Sequence, residues 1–193
     1  MGTKEPSWKI SGLARPRRFG KTLLLSTFEE LFKNGTELFK EQKIIKNDLW
    51  HEDQTYIVMK FDFSLSSQKD FKGYQRAIIQ QINAISKQYG LPFKYDEDAD
   101  AVNSFSDFLN NSTQKSLVLL IDEYDSALTA NLSDKARYME IFRFISDFFK
   151  IVKSYLDRFR FVFITGITPY RELNLRSAFN AFDDISTDSC LAP

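Results

Sequence analysis

The sequence predicts an α/β domain built on a mostly parallel sheet, and three features predict it. Short apolar runs rich in β-branched and aromatic residues alternate with amphipathic helical stretches. One run, Leu117-Val118-Leu119-Leu120-Ile121, is apolar on every side, as a strand covered on both faces of a parallel sheet requires. The runs also end in polar residues suited to chemistry, Asp122 and Glu123 after one and Thr165 after another, and parallel strands gather such ends along one edge.

The elements follow in order. Trp8 to Ala14 makes a poor strand, because Lys9, Ser11 and Gly12 interrupt its apolar positions. Lys21 to Asn34 places Leu24, Leu25, Phe28, Leu31 and Phe32 on one helical face, with Gly35 as the stop. Residues 36 to 50 read as a partly helical connector. Ile57 to Phe63 reads as a strand ending near Ser64. Phe71 to Tyr89 repeats isoleucine at 78, 79, 82 and 85 and is closed by Gly90 and Pro92, an amphipathic helix. A short helix is expected around Phe105 to Leu109, then the strand Leu117 to Ile121. Ser133 is the expected N-cap of a long helix running through Phe148 and Val152 to Leu156. Phe159 to Thr165 forms the last strand, closed by Gly166 and Pro169.

Composition narrows the function. In 193 residues, Lys+Arg and Asp+Glu both count 26, so no global field draws the chain to nucleic acid or an anionic membrane. One cysteine, Cys190, and one histidine, His51, exclude an internal disulfide framework and most structural zinc sites. The lone cysteine points to a reducing, intracellular setting, the cytoplasm. No apolar run approaches the length of a membrane span, and the first ten residues lack a signal-peptide core. Nineteen Phe against three Met point to an aromatic-rich core.

Two motifs carry chemistry. Gly20-Lys21-Thr22 opens the first helix after Arg15-Pro16-Arg17-Arg18-Phe19. A phosphate-binding loop needs inward N–H groups at a helix start, a lysine for the β/γ-phosphates and a hydroxyl for Mg²⁺. These three residues complete GxxxxGK[ST], except that Arg15 stands at the first glycine. Asp122-Glu123-Tyr124-Asp125 follows the most apolar strand, where one carboxylate can serve a metal and the next a water. Thr165 ends a neighbouring run and suits a hydrogen bond to the γ-phosphate or the water, or a plain turn cap.

RPRRFGKTLLLSTFEELF, VMKFDFS, LVLLIDEYD and FVFITGIT, in this order, resemble the AAA-ATPase-like family of P-loop ATPases, over about Leu13 to Ser186. That family commonly carries RPRRFGKS at the loop. The resemblance implies a three-layer P-loop core that binds ATP through Arg17, Arg18, Phe19, Gly20, Lys21 and Thr22. It implies Thr22 and Asp122 as Mg²⁺ ligands, Glu123 as the catalytic acid, Lys21 as the phosphate lysine and Thr165 at the sensor position. Family members continue into a helical lid and often a further domain. Thr187 to Pro193 has no such character, so residues 1–193 read as a single core with the lid missing and an irregular tail. An uncovered base would give weak Mg-ATP binding with little choice between ATP and GTP.

Other readings stay open at this point. A vestigial nucleotide site on a module that binds a protein partner is one. A nucleic-acid-associated ATPase, from Arg15, Arg17 and Arg18, is another, set against loop support or a solvated patch. Asp96 to Asp100 spaces carboxylates like a calcium loop but carries Ala101 where the turn needs glycine, which favours a solvated loop. Arg171 and Arg176 are candidate arginine fingers or surface salt-bridging residues.

Overall fold

The computed structural model describes residues 10–66, 70–113, 116–168 and 182–186, with only the backbone of Ser66 and Phe182. Five parallel strands form one sheet in the order β2-β3-β4-β1-β5. They are β1 (Ile10–Ala14), β2 (Ile57–Asp62), β3 (Leu117–Asp122), β4 (Phe159–Gly166) and β5 (Phe182–Asp184). The helices are α1 (Lys21–Asn34), α2 (Lys43–Lys46), α3 (Phe71–Tyr89), α4 (Ala101–Asn110), α5 (Ser126–Ala130) and α6 (Lys135–Ser154).

Strand alternation sorts the side chains into two cores. Leu13, Val58, Val118, Leu120 and Phe163 meet Leu25 and Phe32 of α1. Ile10, Met59, Phe61, Leu119, Ile121, Val162 and Ile164 face the larger core of α3, α4 and α6. The topology explains the split. From β1 the chain moves outward to β2 across α1, then steps back through β3 to β4 across the other helices. Crossovers of one hand put helices on opposite faces when the direction of travel reverses. Three layers result. Phenylalanines pack in both cores; in the larger one Phe105 and Phe148 stack at 4.3 Å and Phe61 and Phe63 meet Phe148 edge-on.

Several expectations are corrected. β1 is a full strand, inside the sheet and paired with both β4 and β5. Ladders on both sides, with Ile10 and Leu13 buried, outweigh its weak propensity; Trp8 and Lys9 lie outside the described residues. The cap of α6 is Asp134, whose carboxylate accepts from Arg137 N, not Ser133, and the helix ends at Ser154, before Leu156 turns into a 3₁₀ segment. α4 starts earlier than expected because Asp100 caps it through Asn103 N. β2 stops at Asp62 and a 3₁₀ turn carries Phe63. The five residues of α5 and the three of β5 were not foreseen. α1 and α3 keep the expected bounds, and α3 closes on Gly90 in the left-handed region.

Candidate functional site at the strand C-terminal edge

Register brings the predicted residues to one edge. Asp62 lies opposite Asp122, Ile121 opposite Ile164, and Leu13 and Ala14 opposite Thr165 and Gly166. β1, β3 and β4 therefore finish side by side, with the loop 15–20 leaving β1 and α1 starting above them.

The loop closes without the glycine its motif normally begins with. Arg15 N extends the β1 ladder to Gly166 O at 3.2 Å, and the Arg15 guanidinium stacks over Phe19, 4.8 Å from the ring centroid. Left-handed backbone falls later, at Arg18 (φ 67°) and Gly20 (φ 81°). Gly20 is the N-cap of α1; its C=O accepts the first helical bond, from Leu24 N at 2.9 Å, and the first turn carries no acidic side chain. The opening N–H groups of α1 thus face no competing carboxylate of their own, which suits an anion. Lys21 is buried, and its ammonium reaches back across the loop to the carbonyls of Arg15 at 2.8 Å and Pro16 at 3.0 Å. An ammonium has three donors, so a third is left for the mouth of the loop.

Asp122 is the meeting point. Thr22 Oγ1 donates to its Oδ2 at 2.7 Å, and Thr165 Oγ1 donates to its Oδ1 at 2.6 Å. Asp122 and Thr165 are buried whereas Thr22 is exposed, so the trio runs from the core to the surface. Glu123 is half-buried and takes a left-handed backbone (φ 50°) that turns the chain out of β3. Burial, with the charges of Asp122 and Asp62, raises its carboxyl above the ordinary range; Lys21 and Arg17 act in the opposite sense. A cavity of ≈ 480 Å³ is lined by Arg17, Arg18, Phe19, Gly20, Lys21, Thr22, Leu23 and Glu123. All six predicted loop residues and the predicted acid thus line one opening, while Asp122 and Thr165 lie beneath.

Other predicted residues separate from the site. The basic cluster splits, with Arg15 on Phe19 and Arg17 and Arg18 exposed at the cavity. In the acidic run, Asp100 caps α4, Asp96 accepts from Asp98 N, and Asp98 pairs with Lys72 and Arg76, which holds its carboxyl below the usual range. His51 is exposed. Arg171, Arg176, Cys190 and Thr187 to Pro193 lie outside the described residues. No group of three or more His, Cys, Asp or Glu side chains arranged for a metal occurs among the described residues. None of their helices is long and apolar enough to cross a membrane.

The acidic motif gives Tyr124 and Asp125 no role of their own, and Gly166, expected to close the last strand, is instead the final residue of β4; all three pack against the site. Asp125 is 1% exposed and accepts from Ile167 N and, at 2.6 Å, from Thr168 N. The Tyr124 hydroxyl donates to Thr168 O at 2.6 Å, and Tyr124 N donates to Thr165 O at 3.1 Å. Partners on the main chain leave no mark on side-chain spacing, so no motif signals these contacts. Asp62, at the end of β2, was likewise passed over. Its carboxylate accepts from Ser64 N and Oγ, and its peptide groups are bound on both sides by the Gln81 amide.

Five parallel strands between two helical layers, with a loop, a helix start and an acid gathered at the strand C-terminal ends, make this an α/β fold consistent with a P-loop-type core. The chain belongs to the Predicted AAA-ATPase family, whose profile matches residues 7–175. It is similar to an uncharacterized protein in the vnfD 5′ region of Azotobacter chroococcum mcd 1, 27% identical over 177 residues. That match covers 92% of this chain and 34% of the relative, so the chain spans about a third of that protein's length. No solved structure matches the chain. Membership supports nucleotide binding at the level of the family.

Proposed function

We propose that this domain binds Mg-ATP at the opening between the loop and β3 and hydrolyses it. The observation that carries the reading is the hydrogen-bonded trio Thr22–Asp122–Thr165 beside Lys21, which ties the start of α1 to the ends of β3 and β4. In this reading the N–H groups opening α1 and the third donor of Lys21 hold the phosphate chain, with Arg17 and Arg18 adding charge at the rim.

The donors around Asp122 are a carboxylate and a hydroxyl, hard oxygens that fit Mg²⁺, which takes one or two protein ligands and completes its shell with phosphate and water. Thr22 and Asp122 would hold it, and when bound it would supply charge neutralisation on the β- and γ-phosphate oxygens. Thr165 would keep the Asp122 carboxylate oriented. Glu123, with its raised proton affinity, would accept the proton of a water whose oxygen attacks the γ-phosphorus. The bond from that phosphorus to the bridging oxygen breaks, and its electron pair leaves with ADP. Lys21 would stabilise the charge gathering on those oxygens.

Calorimetric titration of Mg-ATP into wild type and Lys21→Ala tests the binding half. Binding by wild type that is lost in the variant supports the reading. Equal binding by both, or none by either, overturns it. Hydrolysis that survives in Glu123→Gln would remove Glu123 from the mechanism.

A further inference from the structure

Glu123 is a non-glycine residue at φ 50°, a conformation that costs free energy and persists only where the surroundings fix it. Both of its neighbours are fixed. On one side Asp122 is bonded to Thr22 and Thr165. On the other, Tyr124 and Asp125 grip the chain leaving β4: the tyrosine through Thr165 O and Thr168 O, the aspartate through the N–H groups of Ile167 and Thr168. Between them lies Gly166, where a Cβ would come within 2.4 Å of the Tyr124 ring and 2.8 Å of Asp125 Oδ1. The acid turn and the β4 exit are therefore one interlocked piece.

The choice of residue is informative. Asp125 is 1% exposed, and among the described residues its hydrogen-bond donors are main-chain N–H groups, with no ion pair to it. Burying a carboxylate is costly, and a loop can be packed down by apolar side chains at less cost. Acceptor oxygens aimed at two successive N–H groups, by contrast, fix the position of that loop. Thr165 is itself held, through its carbonyl on Tyr124 N, and Glu123 stands one residue before the grip.

We propose that Tyr124 and Asp125 are positioning residues for the hydrolytic step, holding Glu123 and Thr165 in place around Asp122 while touching neither nucleotide nor water. The proposal rests on the hydrolytic reading above. It predicts a division of effects, because Lys21 and Thr22 are left untouched: nucleotide affinity stays and turnover falls.

The test compares wild type, Tyr124→Phe, Asp125→Asn and Lys21→Ala by Mg-ATP calorimetry and single-turnover hydrolysis, with rates normalised to the folded fraction. Tyr124→Phe deletes one hydroxyl and keeps the ring, so it decides the matter if Asp125→Asn does not fold. The expected result is a Kd within about threefold of wild type and hydrolysis slower by about tenfold for Tyr124→Phe and up to about a hundredfold for Asp125→Asn. Hydrolysis within twofold of wild type in the folded variants, or a loss of affinity as large as the loss of rate, overturns the proposal while Lys21→Ala still reports a working site. Wild type and Lys21→Ala behaving alike overturns the reading itself, and the proposal with it.

Discussion

Gly166→Ala should destabilise the domain far more than a glycine-to-alanine change in a strand ordinarily would. The added Cβ would lie 2.4 and 2.7 Å from Tyr124 Cε1 and Cδ1, and 2.8 Å from Asp125 Oδ1. Carbon atoms rest at about 3.5–4.0 Å, so the ring must shift by roughly 1 Å. It has little room to do so, being 3% exposed, packed edge-on against Phe149 and tethered by its hydroxyl to Thr168 O. Overpacking costs about 1–3 kcal/mol, and losing the tyrosine hydrogen bond about 1 kcal/mol more. A total near 3 kcal/mol lowers the Tm of a chain this long by about 6–12 °C. Calorimetric melts and urea titrations measure it. Tyr124→Leu removes the ring edge that the methyl strikes, so the same change in that background should cost less by about 1 kcal/mol or more. A Gly166→Ala cost below about 0.5 kcal/mol, or one equal in both backgrounds, would refute the account of this packing.

Three more predictions concern charge, caps and the core. Glu123 has a raised folded pKa, so its contribution to stability is lost as pH climbs from the unfolded value through the folded one. Glu123→Gln should therefore gain stability over wild type at neutral and higher pH, with the gap closing below about pH 4, and a gap that stays flat with pH would contradict this. Asp134→Ala should lose about 1 kcal/mol and Ser133→Ala almost nothing in urea titrations, since Asp134 holds the α6 N-terminus; the reverse order would restore Ser133 as the cap. Tyr74 buries its hydroxyl without a hydrogen-bond partner among the described residues, and burial pushes its phenol far up. Tyr74→Phe should raise stability by about 1 kcal/mol or more, and a lower Tm would show that the hydroxyl is satisfied after all.

The parts legible in the sequence were those with long periodicity or a complete apolar run. α1 and α3 repeat their apolar positions over several turns, and β3 is apolar throughout, so each announced itself. β1 did not, because its stability comes from ladders to β4 and β5 that no local pattern reveals. α5 is too short to show a period, and Asp134 lost to Ser133 because adjacent capping residues look alike until the backbone chooses. The site divides the same way. Gly20, Lys21, Thr22, Asp122 and Glu123 stood out because a local motif places them. Thr165 could be placed at a strand end, but its bond to Asp122 spans 43 positions. Arg15 concealed how the loop closes, since the left-handed backbone lies at Arg18 and Gly20 and not at the first position of the motif.

The position of β4 between β1 and β3 gives residue 165, buried and bonded to Asp122, a linking place. The strands flanking β4 stand two spacings apart, about 9.5 Å, too far for their last residues to meet directly. Thr22 spans that gap from above, leaning from the first turn of α1 to Asp122. Thr165, on the middle strand, reaches the same carboxylate from the neighbouring strand end. It serves as a keystone. A smaller side chain, or an apolar one of equal size, leaves Asp122 with Thr22 alone of its two hydroxyl partners, and a larger one must displace buried neighbours. At residue 165 a single side chain ties the strand next to the loop-bearing β1 to the carboxylate that ends β3.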